Sequence, residues 1–343
     1  MGRTTDRNGI FHLSLAAVML GLSSAAGAHS QWEASRVDAH APIGVMGDHT
    51  HNAGEVMLSY RYMHMEMDGN RIGTDSVSVA EALAAGPYAV VPVKMDMDMH
   101  MFGVMYAPTD RLTLMAMVPY VRLEMLHATA MGGSFVTEAE GVGDVSVGGL
   151  VRLNKTGPHL VHLNLGVSLP TGRIDERDDT PAMANAKLPY PMQLGSGTVD
   201  LKPGLTYLGQ TESWSWGAQT IATIRMGENS EDYTLGDRID ATAWVAKPWT
   251  GSLSTSLRLG LANWGNIDGF DPDLNPAMIP TADPSLRGGE RVDVGIGANL
   301  YGREGVLRGH RLALEVTVPV KQRLDGPQLE ADWTAIAGWQ YSF

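Results

Sequence analysis

Methionine, histidine and carboxylate side chains cluster in the first third of the chain, at spacings that suit metal binding. Of the 20 methionines, 14 lie between Met46 and Met131. Thioether sulfur is a soft ligand suited to Cu(I), imidazole nitrogen suits copper and zinc, and carboxylates supply harder oxygen ligands. The pattern predicts a metal site with copper as the favoured ion, and it implies no other cofactor. The candidate ligands are His49, His51, Met63, His64, Met65, Met67, Asp96, Met97, Asp98, Met99, His100 and Met101.

The geometry of a strand limits this predicted metal site. Residues two apart on a strand share a face and lie about 6.6–7 Å apart, so one strand cannot surround an ion. A neighbouring strand, near 54–67, would have to contribute its methionines. The segment 95–101 has two possible registers, with either its methionines or its carboxylates and histidine in the lumen of a barrel. Because carboxylates deep in lipid are costly, we expect the methionines to face lipid. They would then be apolar filler, and the histidine pair 49–51 is either a solvated tail or a metal site.

Charged residues recur at positions that fall on the polar face of the predicted strands. Two interpretations remain open for these charges. They form a network of paired charges, or they set up a transverse field that selects charged or polar solutes. The predicted lumen residues are Arg61, Asp144, Arg152, Asp200, Arg225, Arg238, Asp240, Arg258, Arg291, Asp293, Arg311 and Glu315.

The composition excludes several classes of function. With 25 Lys and Arg against 38 Asp and Glu, the formal charge is −13, which argues against a nucleic-acid partner because phosphate binding needs a basic face. No cysteine is present, so disulfides, zinc-thiolate sites and cysteine nucleophiles are impossible. His162 and Ser168 share a strand face but lie about 20 Å apart along it, too far for a nucleophile and its base. We therefore predict that the protein is not an enzyme.

The elements that position these residues begin with an export signal. Arg3 and Arg7 precede an apolar stretch from about 10 to 22, and Ala26-Gly27-Ala28 is a cleavage pattern. We predict a signal peptide over residues 1–28, cleaved after Ala28. After it, no run of about 18 apolar residues is long enough for a membrane helix.

The mature chain alternates apolar and polar residues with period two, as membrane β-strands do. Short and long connections also alternate, which predicts short periplasmic turns and long external loops. We predict an all-β fold, an antiparallel transmembrane β-barrel of about twelve strands spanning 54–343. Residues 29–53 lack the pattern and are assigned to an irregular periplasmic segment, with entry into the lumen as the open alternative. The predicted strands lie near 54–67, 93–107, 111–123, 141–153, 159–170, 197–209, 214–226, 236–247, 251–264, 290–301, 310–320 and 331–343.

The last predicted strand carries a recognisable ending. Trp339, Tyr341 and Phe343 share one face, and Phe343 is the final residue. W-x-Y-x-F resembles the C-terminal signal by which bacterial outer-membrane proteins are recognised. The resemblance implies that the barrel-assembly machinery is a partner.

Four phrases of the sequence occur together in a known family. They are Tyr106-Ala107-Pro108-Thr109-Asp110-Arg111-Leu112-Thr113-Leu114, Gly141-Val142-Gly143-Asp144-Val145, Leu169-Pro170-Thr171-Gly172 and Leu194-Gly195-Ser196-Gly197-Thr198. The chain resembles, over about 54–343, the outer-membrane family labelled as meta-pathway phenol-degradation transporters. The resemblance implies a β-barrel transporter and carries no catalytic residues. The Met- and His-rich first third departs from a generic member.

These observations predict a barrel in the outer membrane of a Gram-negative bacterium. We expect a channel that passes a small solute and is linked to copper or another metal. The alternative is a metal-capturing or structural barrel without transport. The expected partners are outer-membrane lipid and a small solute or metal ion.

Overall fold

The computed structural model describes residues 31–343, so the predicted signal peptide lies outside the described residues. One short helix, α1 (Val79–Ala84), begins at a capping box in which Ser78 and Glu81 exchange hydrogen bonds. Among residues 31–343, no helix is both long and apolar enough to cross a membrane. The strands are β1 (Val56–Gly73), β2 (Asp75–Val77), β3 (Val90–Thr109), β4 (Leu112–Thr129), β5 (Ser134–Val142), β6 (Val145–Thr156), β7 (His159–Leu169), β8 (Arg177–Asp178), β9 (Ala186–Lys187), β10 (Val199–Gln210), β11 (Ser215–Met226), β12 (Tyr233–Thr234), β13 (Arg238–Pro248), β14 (Leu253–Trp264), β15 (Asp268–Gly269), β16 (Gly289–Tyr301) and β17 (His310–Ser342).

Eleven of these strands form a closed antiparallel barrel. Each pairs with the next in the order β1-β3-β4-β6-β7-β10-β11-β13-β14-β16-β17, and β17 pairs with β1 to close the ring. β2 and β5 extend the sheet beside β1 and β4. The remaining short strands form two small ladders, β8 with β9 and β12 with β15. The predicted all-β antiparallel barrel is confirmed.

The last strand accounts for two passes of the barrel wall. Residues 311–324 of β17 pair with β16, and residues 324–342 pair with β1. Ser342 N–H donates to the carbonyl oxygen of Gly309 at 3.1 Å, so the chain has doubled back to its starting level. The wall therefore contains twelve passes, which is the number that the alternation predicts.

The outer face of the ring is apolar. Phe102, Ile296 and Leu314 are 57%, 67% and 62% exposed, and they alternate with inward residues along their strands. Short connections such as 110–111 and 249–252 lie at one end, which we call the turn end, and the opposite end is the loop end. The long connection predicted between the strands near 111–123 and 141–153 is instead largely a hairpin of β4 and β5 that prolongs the wall.

The segment 31–53, called the inner segment below, contains no strand and lies inside the ring. Side chains that bond to it come from eight strands all round the wall: β1, β4, β6, β7, β10, β11, β14 and β17. Only the interior of the barrel is within reach of so many strands. Every second residue from Val37 to Val45 is apolar and buried, and Ala39 and Ala41 pack on the inward Leu160 and Trp244. The sequence leaves two locations open for residues 29–53, the periplasm and the lumen, and the described residues 31–53 lie in the lumen.

Candidate functional site

One wall of the lumen is built from methionine. The side chains at odd positions of β1, β3 and β4 point inward, because successive residues of a strand face opposite sides. Across β1 and β3 the methionines stand in register, with Met63 opposite Met99, Met65 opposite Met97, and Met67 opposite Met95. We call this surface the methionine wall. Its members are Met57, Met63, Met65, Met67, Met95, Met97, Met99, Met101, Met105, Met115, Met117 and Met125.

The register that we expected for 95–101 is wrong. Asp96, Asp98 and His100 point out of the barrel, on the face that carries the exposed Phe102. Their partners are also outward residues of β1. Asp98 bonds to His64 Nδ1 at 2.9 Å, and His100 Nδ1 lies 2.8 Å from the Tyr60 hydroxyl.

Strand length explains this correction. A membrane strand needs about 9–11 residues, whereas β1 and β3 have 18 and 20. From Tyr106 at the turn end, Asp98 lies eight residues along β3, about 26 Å at 3.3 Å per residue. Counted from Tyr106, Asp98 and Asp96 are the ninth and eleventh residues, so these carboxylates lie at the outer end of a 9–11-residue crossing. Our expectation assumed that they would be deep in lipid, where the cost of a charge is high.

The predicted metal ligands consequently fall into three separate places. His49 and His51 belong to the inner segment, and six methionines lie on the methionine wall. The other ligands, which are His64, Asp96, Asp98 and His100, lie on the outer surface. These three groups cannot form one site because the barrel wall separates the outer group from the rest.

Charged residues face the methionine wall across the lumen. Arg238 binds Asp240 through two hydrogen bonds of 2.7 Å, and Arg291 binds Asp293 at 3.0 Å. Both pairs line a cavity of about 450 Å³, together with Met63, Met65 and Met117. Residues 44–47 of the inner segment form part of its lining. One side of this cavity is therefore apolar and polarisable, and the other carries fixed charges.

Charged anchors hold the inner segment in place. Arg311 donates to the Ala41 carbonyl oxygen at 2.7 Å, and Glu315 accepts from the Gly44 N–H at 2.7 Å. Glu315 also pairs with Arg258 at 2.5 Å. The other predicted lumen residues that bond to the inner segment are Arg61, through the Ile43 carbonyl oxygen, and Arg152, through Thr50.

A neutral anchor of the inner segment includes His162, which the sequence suggests only as a possible catalytic base. His162 Nε2 and Asn164 Nδ2 donate to the Gly47 carbonyl oxygen at 3.0 and 2.7 Å. Because a carbonyl oxygen only accepts, Nε2 of His162 must carry the proton. Gln219 donates to the same oxygen at 3.3 Å and to that of Met46 at 3.0 Å. This strand face thus binds the backbone of the inner segment.

Three of the four sequence segments that resemble the family, 141–145, 169–172 and 194–198, meet at the loop end. Asp144 accepts from the Gly172 N–H at 2.9 Å and from the Ser196 N–H at 2.8 Å. Ser196 Oγ continues to Asp200, which pairs with Arg225. Three predicted lumen residues, Asp144, Asp200 and Arg225, therefore belong to a network that joins separate loops, and they do not line the cavity. The close approach explains the glycines in these phrases.

The external loops also pack on one another. Tyr190, Tyr233 and Ile267 form an apolar cluster at the loop end. Lys187 contacts Asp271 at 2.6 Å and Glu231 at 2.5 Å, with its side chain 2% exposed. Although burial lowers the pKa of Lys187, hydrogen bonds to these two carboxylates raise it overall.

Three imidazoles lie together in the inner segment. Burial lowers the pKa of His51 to about 4 and that of His40 well below its ordinary value. Both rings are therefore neutral at pH 7. His49 and His51 are among the ligands that the sequence predicts, but His40 is not, because it lies nine residues before His49 in a segment that forms no strand or helix to bring them together.

Comparisons with known proteins agree with the barrel fold described above. The family model described as “Putative MetA-pathway of phenol degradation” matches residues 81–271, more than half of the 343-residue chain. The chain is similar to the COG4313 outer membrane channel from Pseudomonas putida F1, at 17% identity and a TM-score of 0.61, covering 87% of this chain and 99% of that chain. No curated protein matches.

Two further solved structures are similar at lower TM-scores. One is the transport unit of the autotransporter AIDA-I from Escherichia coli, at 10% identity and a TM-score of 0.48, covering 87% of this chain and 93% of that chain. The other is a Pseudomonas aeruginosa FadL homologue, at 12% identity and 0.38, covering 84% and 89%. Both scores are too low to support an argument. The family match decides the assignment: the chain belongs to the phenol-degradation family named by that model, and it has the fold of outer-membrane barrels.

Proposed function

We propose that the protein is a channel that passes a small solute across the outer membrane of a Gram-negative bacterium. The observation that carries this proposal is the cavity of about 450 Å³ inside the barrel. The methionine wall borders it on one side and the Arg238–Asp240 and Arg291–Asp293 pairs on another. A solute with an apolar body and a charged or hydrogen-bonding group matches both surfaces. Passage requires no catalysis and no cofactor.

The inner segment is the barrier in this proposal. It lies across the lumen, yet it contributes no strand to the closed sheet. Side-chain hydrogen bonds, apolar contacts and one backbone bond, from the Trp32 N–H to the carbonyl oxygen of Gly157 in the turn between β6 and β7, hold it. Its displacement therefore leaves every strand pairing intact. A channel that opens when this segment moves is consistent with both features.

Solute selectivity provides a direct test. Proteoliposome swelling compares benzoate, an apolar ring with one charge, with glucose, a neutral polar solute. We expect benzoate to enter faster, and we expect the variant Met63→Gln/Met65→Gln to reduce that preference several-fold because the apolar wall becomes polar. Met131→Gln is the matched control, since Met131 is 98% exposed on an external turn. Equal rates for the two solutes in the parent protein would refute the solute class, and no swelling by either solute, even after deletion of the inner segment, would refute the channel.

Metal handling is the second candidate function, and the lumenal position of the methionine wall favours it. Directly opposed side chains have Cβ atoms about 4.5–5.5 Å apart, so pairs such as Met65 and Met97 bring two thioethers together. Cu(I) is the ion that such ligands suit. The test is a Cu(I) competition titration of tag-free protein. Unchanged affinity after the changes Met63→Leu, Met65→Leu, Met97→Leu, Met99→Leu and Met101→Leu would contradict this candidate. Binding without conductance would favour capture of the metal over transport.

Assembly through the C-terminal strand completes the proposal. Phe343 is 59% exposed, and its N–H and carbonyl oxygen both pair with Val56 at 2.9 Å, where the barrel closes. A terminal aromatic residue at the closing seam is well placed for recognition by the barrel-assembly machinery before the seam forms.

A further inference from the structure

Three histidines meet at the turn end of the lumen. The ring centroids of His40 and His49 are 4.1 Å apart, and those of His49 and His51 are 4.9 Å apart. Both ring pairs meet edge to face, with interplanar angles of 73° and 70°. We call this group the histidine cluster. It lies within the inner segment.

Each ring of the cluster has a buried nitrogen without a partner. His40 Nδ1, His49 Nε2 and His51 Nε2 have no hydrogen-bond partner among residues 31–343. His49 is 8% exposed and His51 is 5% exposed. An unsatisfied buried polar atom costs about 1–3 kcal/mol, so three in one place call for an explanation. A cation bound between His40 and His49 would satisfy two of them, and rotation of the adjacent His51 ring would bring in the third.

Carboxylates orient two of these rings from behind. Asp48 lies 2.8 Å from His49 Nδ1, and Glu55 lies 3.3 Å from His51 Nδ1. The second oxygen of Asp48 accepts from the Ala41 N–H at 2.8 Å, which fixes the carboxylate. A histidine that binds a metal through one nitrogen usually donates its other N–H to a carboxylate. The free nitrogen of both rings is thus Nε2, the atom that such a carboxylate leaves for the metal.

A cavity gives the cluster access to the turn end. It has a volume of about 720 Å³, and His40, His49 and His51 all line it beside Phe343 and Ser342 at the end of the chain. The potential ligand atoms of His40, Asp48 and His49 lie within 4.8 Å of one another. A cation can therefore reach the cluster without passing the lumen cavity.

We propose that His40 and His49, joined by His51 after rotation of its ring, bind one divalent transition-metal cation of the Zn²⁺ and Cu²⁺ class. Asp48 and Glu55 act as positioning residues that hold the rings. Three imidazoles with a fourth position toward the cavity suit these ions. Because His40 and the pair His49 and His51 lie on the two sides of the turn at residues 41–48, the ion would tie that turn together inside the barrel.

Zn²⁺ binding by the mature protein, purified without a histidine tag, tests this proposal. Isothermal titration calorimetry should give one equivalent of Zn²⁺, and X-ray absorption of the complex should show nitrogen ligands at about 2.0–2.1 Å. We expect His49→Ala/His51→Ala to weaken binding at least 100-fold. Asp48→Asn should weaken it about 10–100-fold, as the loss of an orienting carboxylate does. A parallel titration with Cu²⁺ should show the same dependence.

Controls separate this site from other ligands. His127→Ala removes an imidazole that is also buried, 2% exposed, but lies on β4 away from the cluster, and it should leave binding unchanged. Heat-modifiable migration verifies that each variant is folded, and His49→Gln replaces the double variant if that one fails to assemble. The absence of stoichiometric binding in the parent protein would overturn the proposal. So would full binding by the folded variants. Because conductance is not measured, either result leaves the channel proposal standing.

Discussion

Weakening the neutral anchor of the inner segment should increase its displacement by a calculable amount. Asn164 and Gln219 donate to the carbonyl oxygens of Gly47 and Met46 at 2.7 to 3.3 Å. A neutral hydrogen bond contributes about 1 kcal/mol net. The two Gln219 contacts come from one amide nitrogen and count as one bond, so Asn164→Ala/Gln219→Ala should remove about 2 kcal/mol. Since about 1.4 kcal/mol is a factor of ten, the displaced population should rise about 30-fold.

Two measurements follow that population. The first is the single-channel open probability in a planar bilayer. The second is the maleimide labelling rate of Val45→Cys, a buried position in a chain with no other cysteine. Gln322→Ala is the matched control, because the Gln322 amide donates to the carbonyl oxygen of Ala331 in the wall rather than to the inner segment. An unchanged labelling rate would refute the energetic reasoning. Faster labelling without more frequent opening would show that the inner segment is not the barrier.

Three further perturbations test other parts of the structure. Gly195→Ala should lower the free energy of unfolding by about 1–3 kcal/mol, and with it the midpoint of thermal unfolding, because the added Cβ would lie 2.5 Å from Asp144 Oδ1. An unchanged midpoint by circular dichroism would contradict this. Lys187→Met should lower the free energy of local unfolding of the external loops by about 3–5 kcal/mol, because Asp271 would be buried without its partner. The rate of limited proteolysis in these loops measures the change. The raised pKa of Lys187 means that its stabilisation is complete at neutral pH and is lost only as pH rises through that pKa, so parent loops should resist protease until strongly alkaline pH. Deletion of Phe343 should reduce the heat-modifiable form in outer-membrane fractions; an undiminished amount would exclude a role in assembly.

The strands of the barrel wall can be predicted from the sequence because the alternation of apolar and polar residues that marks them is local. Alternation with period two predicts the strands and, for most of them, the lumenal face. The predicted number of strands, twelve, equals the number of passes in the wall. The register of β3 was not accessible in this way. The alternation of Met and Asp over 95–101 is equally consistent with both faces, and the decision needed the strand length. The pairing of β3 with a β1 of 18 residues shows that Asp96 and Asp98 lie at the outer end of the crossing and not at its centre.

The inner segment and its contacts depend on long-range geometry. Apolar residues at every second position from Val37 to Val45 are a signal of burial, but nothing local shows that a barrel lumen buries them. The anchors of Gly47 are 115 to 172 residues away in the chain. The family phrases show the same limitation, because the sequence gives their order and the structure shows that Asp144 joins them.

The central claim is that displacement of the inner segment opens the lumen, and a disulfide lock tests it most directly. An ideal Cβ on Gly338 lies 2.7 Å from Cγ1 of Ile43, which is compatible with the 3.5–4.5 Å separation of Cβ atoms in a disulfide. Ile43→Cys/Gly338→Cys therefore links the inner segment to β17 in a chain without other cysteines. Each single variant, treated identically, serves as the control. We expect no conductance steps from the oxidised, mass-verified protein and reversible appearance of steps on reduction. Equal conductance from the oxidised and reduced forms would contradict the claim.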